Sequence, residues 1–106
     1  MPSALINVPA KAMRGDIIEI KTLIAHPMET GYRKGDDGAT LPRNLIRHLR
    51  CEYGDVTIFS AELYPAVAAN PFISFFTVAT DSGVLRFTWE GDNGFSQVER
   101  VSLTVA

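Results

Sequence analysis

Apolar and polar residues alternate along this chain in short runs, and Gly, Asn, Asp and Pro break the runs. Period-two alternation of this kind predicts β-strands. Leu5 to Val8 reads as a first strand closed by Pro9, and Arg14-Gly15-Asp16 as a turn. From Ile17 to Ala25, Ile18, Ile20, Thr22 and Ile24 share one face, with Glu19, Lys21 and Leu23 on the other. Leu45 to Tyr53 admits two readings. Leu41, Leu45 and Leu49 have helical spacing, and Pro42 suits a first helical position. Read as a strand, Leu45, Leu49, Cys51 and Tyr53 share a face, with Arg47 among them. The strand is preferred, because Gly54-Asp55 then turns tightly into Val56 to Ser60 and closes a hairpin. Phe72 to Ala79 is apolar on both faces, which predicts a central strand; Asp81-Ser82-Gly83 turns the chain after it. In Val84 to Glu90, Leu85, Phe87 and Trp89 point inward, while Arg86, Thr88 and Glu90 point outward. Gly91-Asp92-Asn93-Gly94 is a hairpin turn, since Asn-Gly readily adopts positive φ. In the last strand Val101, Leu103 and Val105 share a face and Val98 is out of phase, which predicts a bulge near Glu99.

About seven antiparallel strands at this spacing, with no βαβ alternation and no internal repeat, predict an all-β, immunoglobulin-like sandwich. The 106 residues fit one domain spanning 1–106, and 46% hydrophobic residues suffice for a core. A net charge of −2 argues against nucleic acid as a partner. No apolar run approaches the ~18–20 residues needed to cross a bilayer, so no membrane span is expected. The start, Met1 to Pro9, has neither the charged nor the apolar region of a signal peptide. One cysteine excludes an internal disulfide framework and a multi-cysteine zinc site.

The segment from His26 to Arg43 is much longer than the ~4–6 residues usual between strands. Lys34 to Gly38 reads as a solvated tip, and the mixture His26-Pro27-Met28-Glu29 as an ordered base. His26 and Met28 form a His-x-Met pair of the kind that suits Cu(I), so a periplasmic copper-binding sandwich is an alternative reading. No other metal site and no cofactor is indicated. The chain has no nucleophile elbow, phosphate loop or zinc signature, so independent catalysis is not expected and no catalytic residue is assigned.

The segment Ile20-Lys21-Thr22-Leu23-Ile24-Ala25-His26-Pro27-Met28-Glu29-Thr30-Gly31 resembles the "IKTLISHPMETG" segment of the SoxZ family. Pro42-Arg43, Cys51-Glu52-Tyr53, Ala68-Ala69-Asn70-Pro71-Phe72, Ser82-Gly83 and the Trp89 strand follow in the expected order. The resemblance runs from about Val8 to the end, with Ala25 and Ala69 where the family has serine and Phe72 where it has tyrosine. It implies a non-catalytic subunit that pairs with SoxY in a periplasmic sulfur carrier complex of thiosulfate oxidation. SoxY carries the sulfur on a cysteine near its carboxyl terminus, and other Sox enzymes act on the loaded arm. The lack of a leader then fits export in company with a signal-bearing SoxY.

Cys51 lies inside a strand between Arg50 and Glu52, unlike a carrier thiol on a mobile arm, so it is not expected to hold sulfur. A buried free thiol and an interchain disulfide both remain open for it. A companion subunit needs an apolar surface, and Phe72, Phe75 and Phe76 are the candidate anchors. His26, Met28, Glu29, Arg33 and Asn70 are candidates for shaping the surface near the SoxY arm, with His26 and Arg33 as candidate donors to sulfonate or thiosulfonate oxygens, since Arg suits oxyanions. Without its partner, such a surface would drive self-association into a homo-oligomer.

Overall fold

A computed structural model describes residues 4–64, 67 and 69–106. Met1 to Ser3, and Ala68 of the Ala68 to Phe72 motif, lie outside the described residues. Among these residues eight strands form two sheets. The smaller sheet has the order β1 (Ala4–Asn7), β3 (Ile17–Ile24), β6 (Phe72–Val78), and the larger β2 (Lys11–Ala12), β8 (Ser96–Val105), β7 (Gly83–Gly91), β4 (Ile46–Tyr53), β5 (Val56–Glu62). The pairings are antiparallel except that the two-residue β2, not foreseen in the sequence, runs parallel to β8.

Alternation decides what each strand buries. β3 presents Ile18, Ile20, Thr22 and Ile24 to the interior, the face expected from its sequence. Leu85, Phe87 and Trp89 of β7, with Leu49 and Cys51 of β4, meet them from the larger sheet. Each large apolar side chain buried this way is worth about 1.5–3 kcal/mol. Phe59 on β5 stacks on Phe75 on β6 with ring centroids 4.1 Å apart, tying the open side of the sandwich together.

Three expectations are corrected. Phe72 to Val78 is an edge strand, not a central one, so its second apolar face meets no opposing sheet. β8 has no bulge: its pairing with β7 is continuous from Ser96 to Leu103, with Val98 facing outward and Gln97 and Glu99 inward. The irregularity lies instead in β4, whose register against β7 shifts between Ile46 and His48. That shift turns Ile46 into the core and Arg47 out to solvent. Thr88 on β7 does point to the outer face, between Arg50 and Val98, but is covered there by its neighbours.

Candidate functional site

The long connection is ordered where it leaves the sandwich. The His26 N–H donates to Asn70 Oδ1 at 2.9 Å, and the Asn70 N–H donates to the His26 carbonyl at 2.8 Å. Met28 donates its N–H to His26 Nδ1 at 3.0 Å, and its Sδ accepts from the Ile46 N–H at 3.3 Å. Met28 and Asn70 both sit at φ 52°, a left-handed conformation uncommon outside glycine. Non-glycine residues held there depend on their surroundings, and the His26 hydrogen bonds supply that constraint on both sides. The His26 ring is buried and packs edge-on to Phe95 at 4.9 Å, with Nδ1 taken by the Met28 N–H. Contrary to the expectation from sequence, it is therefore not placed to meet a sulfonate oxygen; Arg33 remains exposed. Since Nδ1 accepts, the proton sits on Nε2, which is buried without a hydrogen-bond partner of good geometry. Burial lowers the basicity of this imidazole, against smaller opposing effects from the Asn44 side chain and the Asp92 charge.

Further along, Glu29 and Asn44 exchange backbone hydrogen bonds at 2.8 Å each, pinning the two ends of the excursion together. Lys34 bridges Thr40, and the exposed tip folds back on itself through Gly35 and Ala39. Arg33 donates from both Nε and Nη2 to the Glu29 carboxylate, the first at 3.0 Å. This pairing holds the Glu29 carboxyl below its ordinary range and raises the Arg33 guanidinium. A surface hollow of about 470 Å³ is lined here by Pro27, Met28, Glu29, Thr30, Arg33 and Ala69.

Asp92 fixes the far end of the excursion. Its carboxylate accepts from Arg43 Nε and Nη2 at 2.9 Å each and from the Leu45 N–H at 3.0 Å. Burial alone would push this carboxyl up; the Arg43 and Leu45 hydrogen bonds and the Arg43 and Arg47 charges outweigh it and hold it low. The turn carrying Asp92 has Asn93 at φ 60° and Gly94 at φ 74°, as the Asn-Gly pair predicts.

Five of the candidate residues, His26, Met28, Glu29, Arg33 and Asn70, thus meet at one junction. The three phenylalanines divide. Phe75 is buried in the core, while Phe72 and Phe76 are exposed on the outer face of the small sheet at 61% and 64%. Sequence reasoning left out the rest of that face. Leu5, Leu23 and Phe72 align across β1, β3 and β6, with Ile17 beside Val78 and Glu19 beside Phe76. A depression of about 320 Å³ runs over Leu5, Leu23 and Phe72 and is bounded by Asn7 and Lys21. The signal was present: Leu5, Ile17 and Leu23 are apolar at outward positions of their strands.

The outer face of the larger sheet is ionic by contrast. Arg86 donates from Nε and Nη2 to Glu52, and Arg50 Nε lies 3.6 Å from the same carboxylate. Cys51, on the inner face, is fully buried, and burial, then the Glu52 charge, pushes its thiol up to about 12. An interchain disulfide through Cys51 is incompatible with that burial.

The copper reading loses its donors. His26 Nδ1 and Met28 Sδ both accept backbone N–H groups inside the protein. Among the described residues no three His, Cys, Asp or Glu side chains group to hold a metal ion.

Comparison with known proteins gives one family and one fold. The family profile described as "Sulphur oxidation protein SoxZ" matches residues 6–102. A search of curated proteins gives no match. Among solved structures, a superoxide reductase (neelaredoxin) from Ignicoccus hospitalis superposes with a TM-score of 0.78 at 17% identity, covering 98% of this chain and 80% of that one. The sulfur carrier protein SoxY from Chlorobium limicola f thiosulfatophilum gives 0.70 at 11% identity, covering 100% and 81%. A putative superoxide reductase from Thermotoga maritima gives 0.68 at 14% identity, covering 97% and 85%. At these identities the structural likenesses speak to fold alone.

Proposed function

The chain belongs to the SoxZ family of sulphur oxidation proteins, and from that membership we propose that it is the non-catalytic subunit of a SoxYZ sulfur carrier complex. In this reading it pairs with SoxY in the periplasm, reached in SoxY's company. SoxY's cysteine holds the sulfur during thiosulfate oxidation, and other Sox enzymes meet the loaded complex in passing.

The observation that carries the reading is the apolar outer face of the small sheet. Leu5, Ile17, Phe72, Phe76 and Val78 are each 47–75% exposed there. Apolar side chains gathered on one solvent-facing sheet mark a surface made for another protein. Permanent partners favour this chemistry at the centre of their contact, with aromatic residues as anchors. A carrier thiol, by contrast, must be accessible and ionisable. Cys51, buried and with its thiol pushed up to about 12, is neither, which fits a subunit that leaves covalent chemistry to its partner. The His26 junction and the Arg33–Glu29 pair stand at one end of the molecule as candidates to shape the surface near SoxY's arm.

Co-expression with SoxY tests the reading. The wild-type chain should co-purify with SoxY, and the Phe72→Asp, Phe76→Asp double variant should bind at least about tenfold more weakly, as expected when central aromatic anchors are lost. Both side chains are exposed, so the isolated variant should melt within a few degrees of wild type. Undiminished pairing by the double variant would remove the face from the interface.

A further inference from the structure

The pairing of β3 with β6 fixes where each β6 amide points. In an antiparallel ladder one residue sends both its N–H and C=O to a given neighbour, and the next sends both away. Ile24 donates to the Pro71 carbonyl at 3.2 Å, and Ala79 donates to the Asp16 carbonyl at 2.8 Å. With the register Ile17↔Val78 to Leu23↔Phe72, these bonds assign the odd-numbered residues from 71 to 79 to β3. Phe72, Ser74, Phe76 and Val78 therefore aim their backbone groups at the open edge, where no strand lies among the described residues. The same four residues project their side chains from the outer face.

Exposed edges are ordinarily short, charged, bulged or interrupted by proline, because an open ladder recruits another strand. The other edges here follow that rule. β1 has four residues and β2 two; β5 ends in Glu62, and its pairing with β4 carries a register shift between Cys51 and Glu52. β6 does not. Its seven residues, Phe-Ile-Ser-Phe-Phe-Thr-Val, contain no charge and no proline, and its register with β3 is unbroken. Between β5 and β6 lies an apolar hollow of about 460 Å³, lined by Tyr53, Val56, Ile58 and Val78 among others. A strand laid along β6 would satisfy the outward amides, send side chains into this hollow, and shelter Phe72 and Phe76.

We propose that the open edge of β6 takes up a strand of the SoxY subunit, so that the small sheet continues across the subunit boundary. The proposal rests on the SoxY reading given above and adds its geometry. A SoxY is the favoured occupant because a solved one shares this fold over the full length of the chain, so it has sheet edges to offer. Backbone pairing of this kind gives affinity, and the flanking side-chain hollows give specificity.

Hydrogen exchange on the assembled complex tests it. In the chain alone, the amides of Ile73 and Phe75 should be protected by β3, and those of Ser74, Phe76 and Val78 should exchange freely. On adding SoxY the latter three should slow at least tenfold. Ser74→Pro removes one outward N–H and spares the β3 ladder, an edge position where proline is tolerated. It should weaken SoxY binding at least tenfold. Should that variant fail to fold, exchange on the wild-type chain decides alone. Pairing with SoxY that leaves all three amides fast overturns the edge and keeps the partner. Absence of pairing overturns both. Protection that arises on concentrating the chain alone, and that SoxY does not alter, hands the edge to a second copy and overturns the proposal.

Discussion

Neutral His26 is required by the junction it organises, because a protonated ring cannot accept the Met28 N–H at Nδ1. Burial lowers its pKa from the ordinary 6.5, so the unfolded chain takes up this proton at higher pH than the folded one. Between those two values the unfolded state binds more protons, and stability falls as pH drops through the window. We expect Tm to decline from pH 7.5 to 5.5. His26→Asn, which offers an acceptor in place of Nδ1 and does not titrate, should flatten that decline in calorimetry. Glu29, Glu52 and Asp92 act in a separate window. Their folded pKa values lie below the ordinary 4.5 for glutamate and 3.8 for aspartate, so their contribution persists above those values and is lost only at lower pH. Cys51 gives a second residue-level test. With its thiol pushed up to about 12 and fully buried, it should resist iodoacetamide at pH 8 until the chain unfolds. Cys51→Ala should leave sulfur transfer by the assembled complex unchanged; adducts on Cys51 after incubation with pathway enzymes would contradict its passive role. The burial of Trp89 was legible from strand alternation; for Cys51 alternation gave the face it shares with Leu49 but left a buried thiol and an interchain disulfide both open. The His26 partnership with Asn70 was not, since a contact 44 residues apart leaves no local periodicity.

At the scale of elements, the turn between β7 and β8 shows how little space the scaffold leaves around the excursion. Gly91 approaches β4 so closely that a Cβ on it would collide with the Leu45 carbonyl oxygen and lie 2.9 Å from the Ile46 Cα. Its backbone is extended, so steric approach, not left-handed φ, demands glycine. Gly91→Ala should cost about 1–3 kcal/mol, the usual range for overpacking. That corresponds to roughly 4–8 °C of Tm per kcal/mol in a domain of this size. Loosening should be local, at the Arg43–Asp92 pair and the Leu45 backbone. Sequence reading recovered seven of the eight strands, the β4–β5 hairpin and the Asn-Gly turn, because each has a local signal. It missed β2, whose two residues are too few to show a period, and misjudged β6. A run apolar on both faces reads as central when one chain must bury both faces, whereas β6 buries Phe75 within the chain and leaves Phe72 and Phe76 outside. The shift in β4 was hidden for a related reason: two adjacent apolar residues, Leu45 and Ile46, turn inward together, which no simple alternation predicts.

The molecule as a whole has much surface for its mass. Its radius of gyration is 16.0 Å and it measures 57 × 22 × 20 Å, against about 13 Å for the radius of a compact domain of ~100 residues. One broad face is largely apolar, interrupted by the exposed Glu19–Lys21 pair, and the other bears the Arg50–Glu52–Arg86 ionic cluster. A net charge of −2 supplies little repulsion between copies. Those three properties together predict that the isolated chain self-associates reversibly through the apolar face. Sedimentation velocity should show a larger species growing with concentration, at least as strongly in high salt as in low, because apolar contacts are not screened. Leu23→Lys, at the centre of the Leu5–Leu23–Phe72 row, should return the chain to monomer with its fold intact. Adding SoxY should dissolve the self-associated species into a heterodimer, since both assemblies compete for one surface. A wild-type chain that stays monomeric at high concentration would mean that this face is less adhesive than its composition requires, and that pairing with SoxY draws its energy from elsewhere on the molecule.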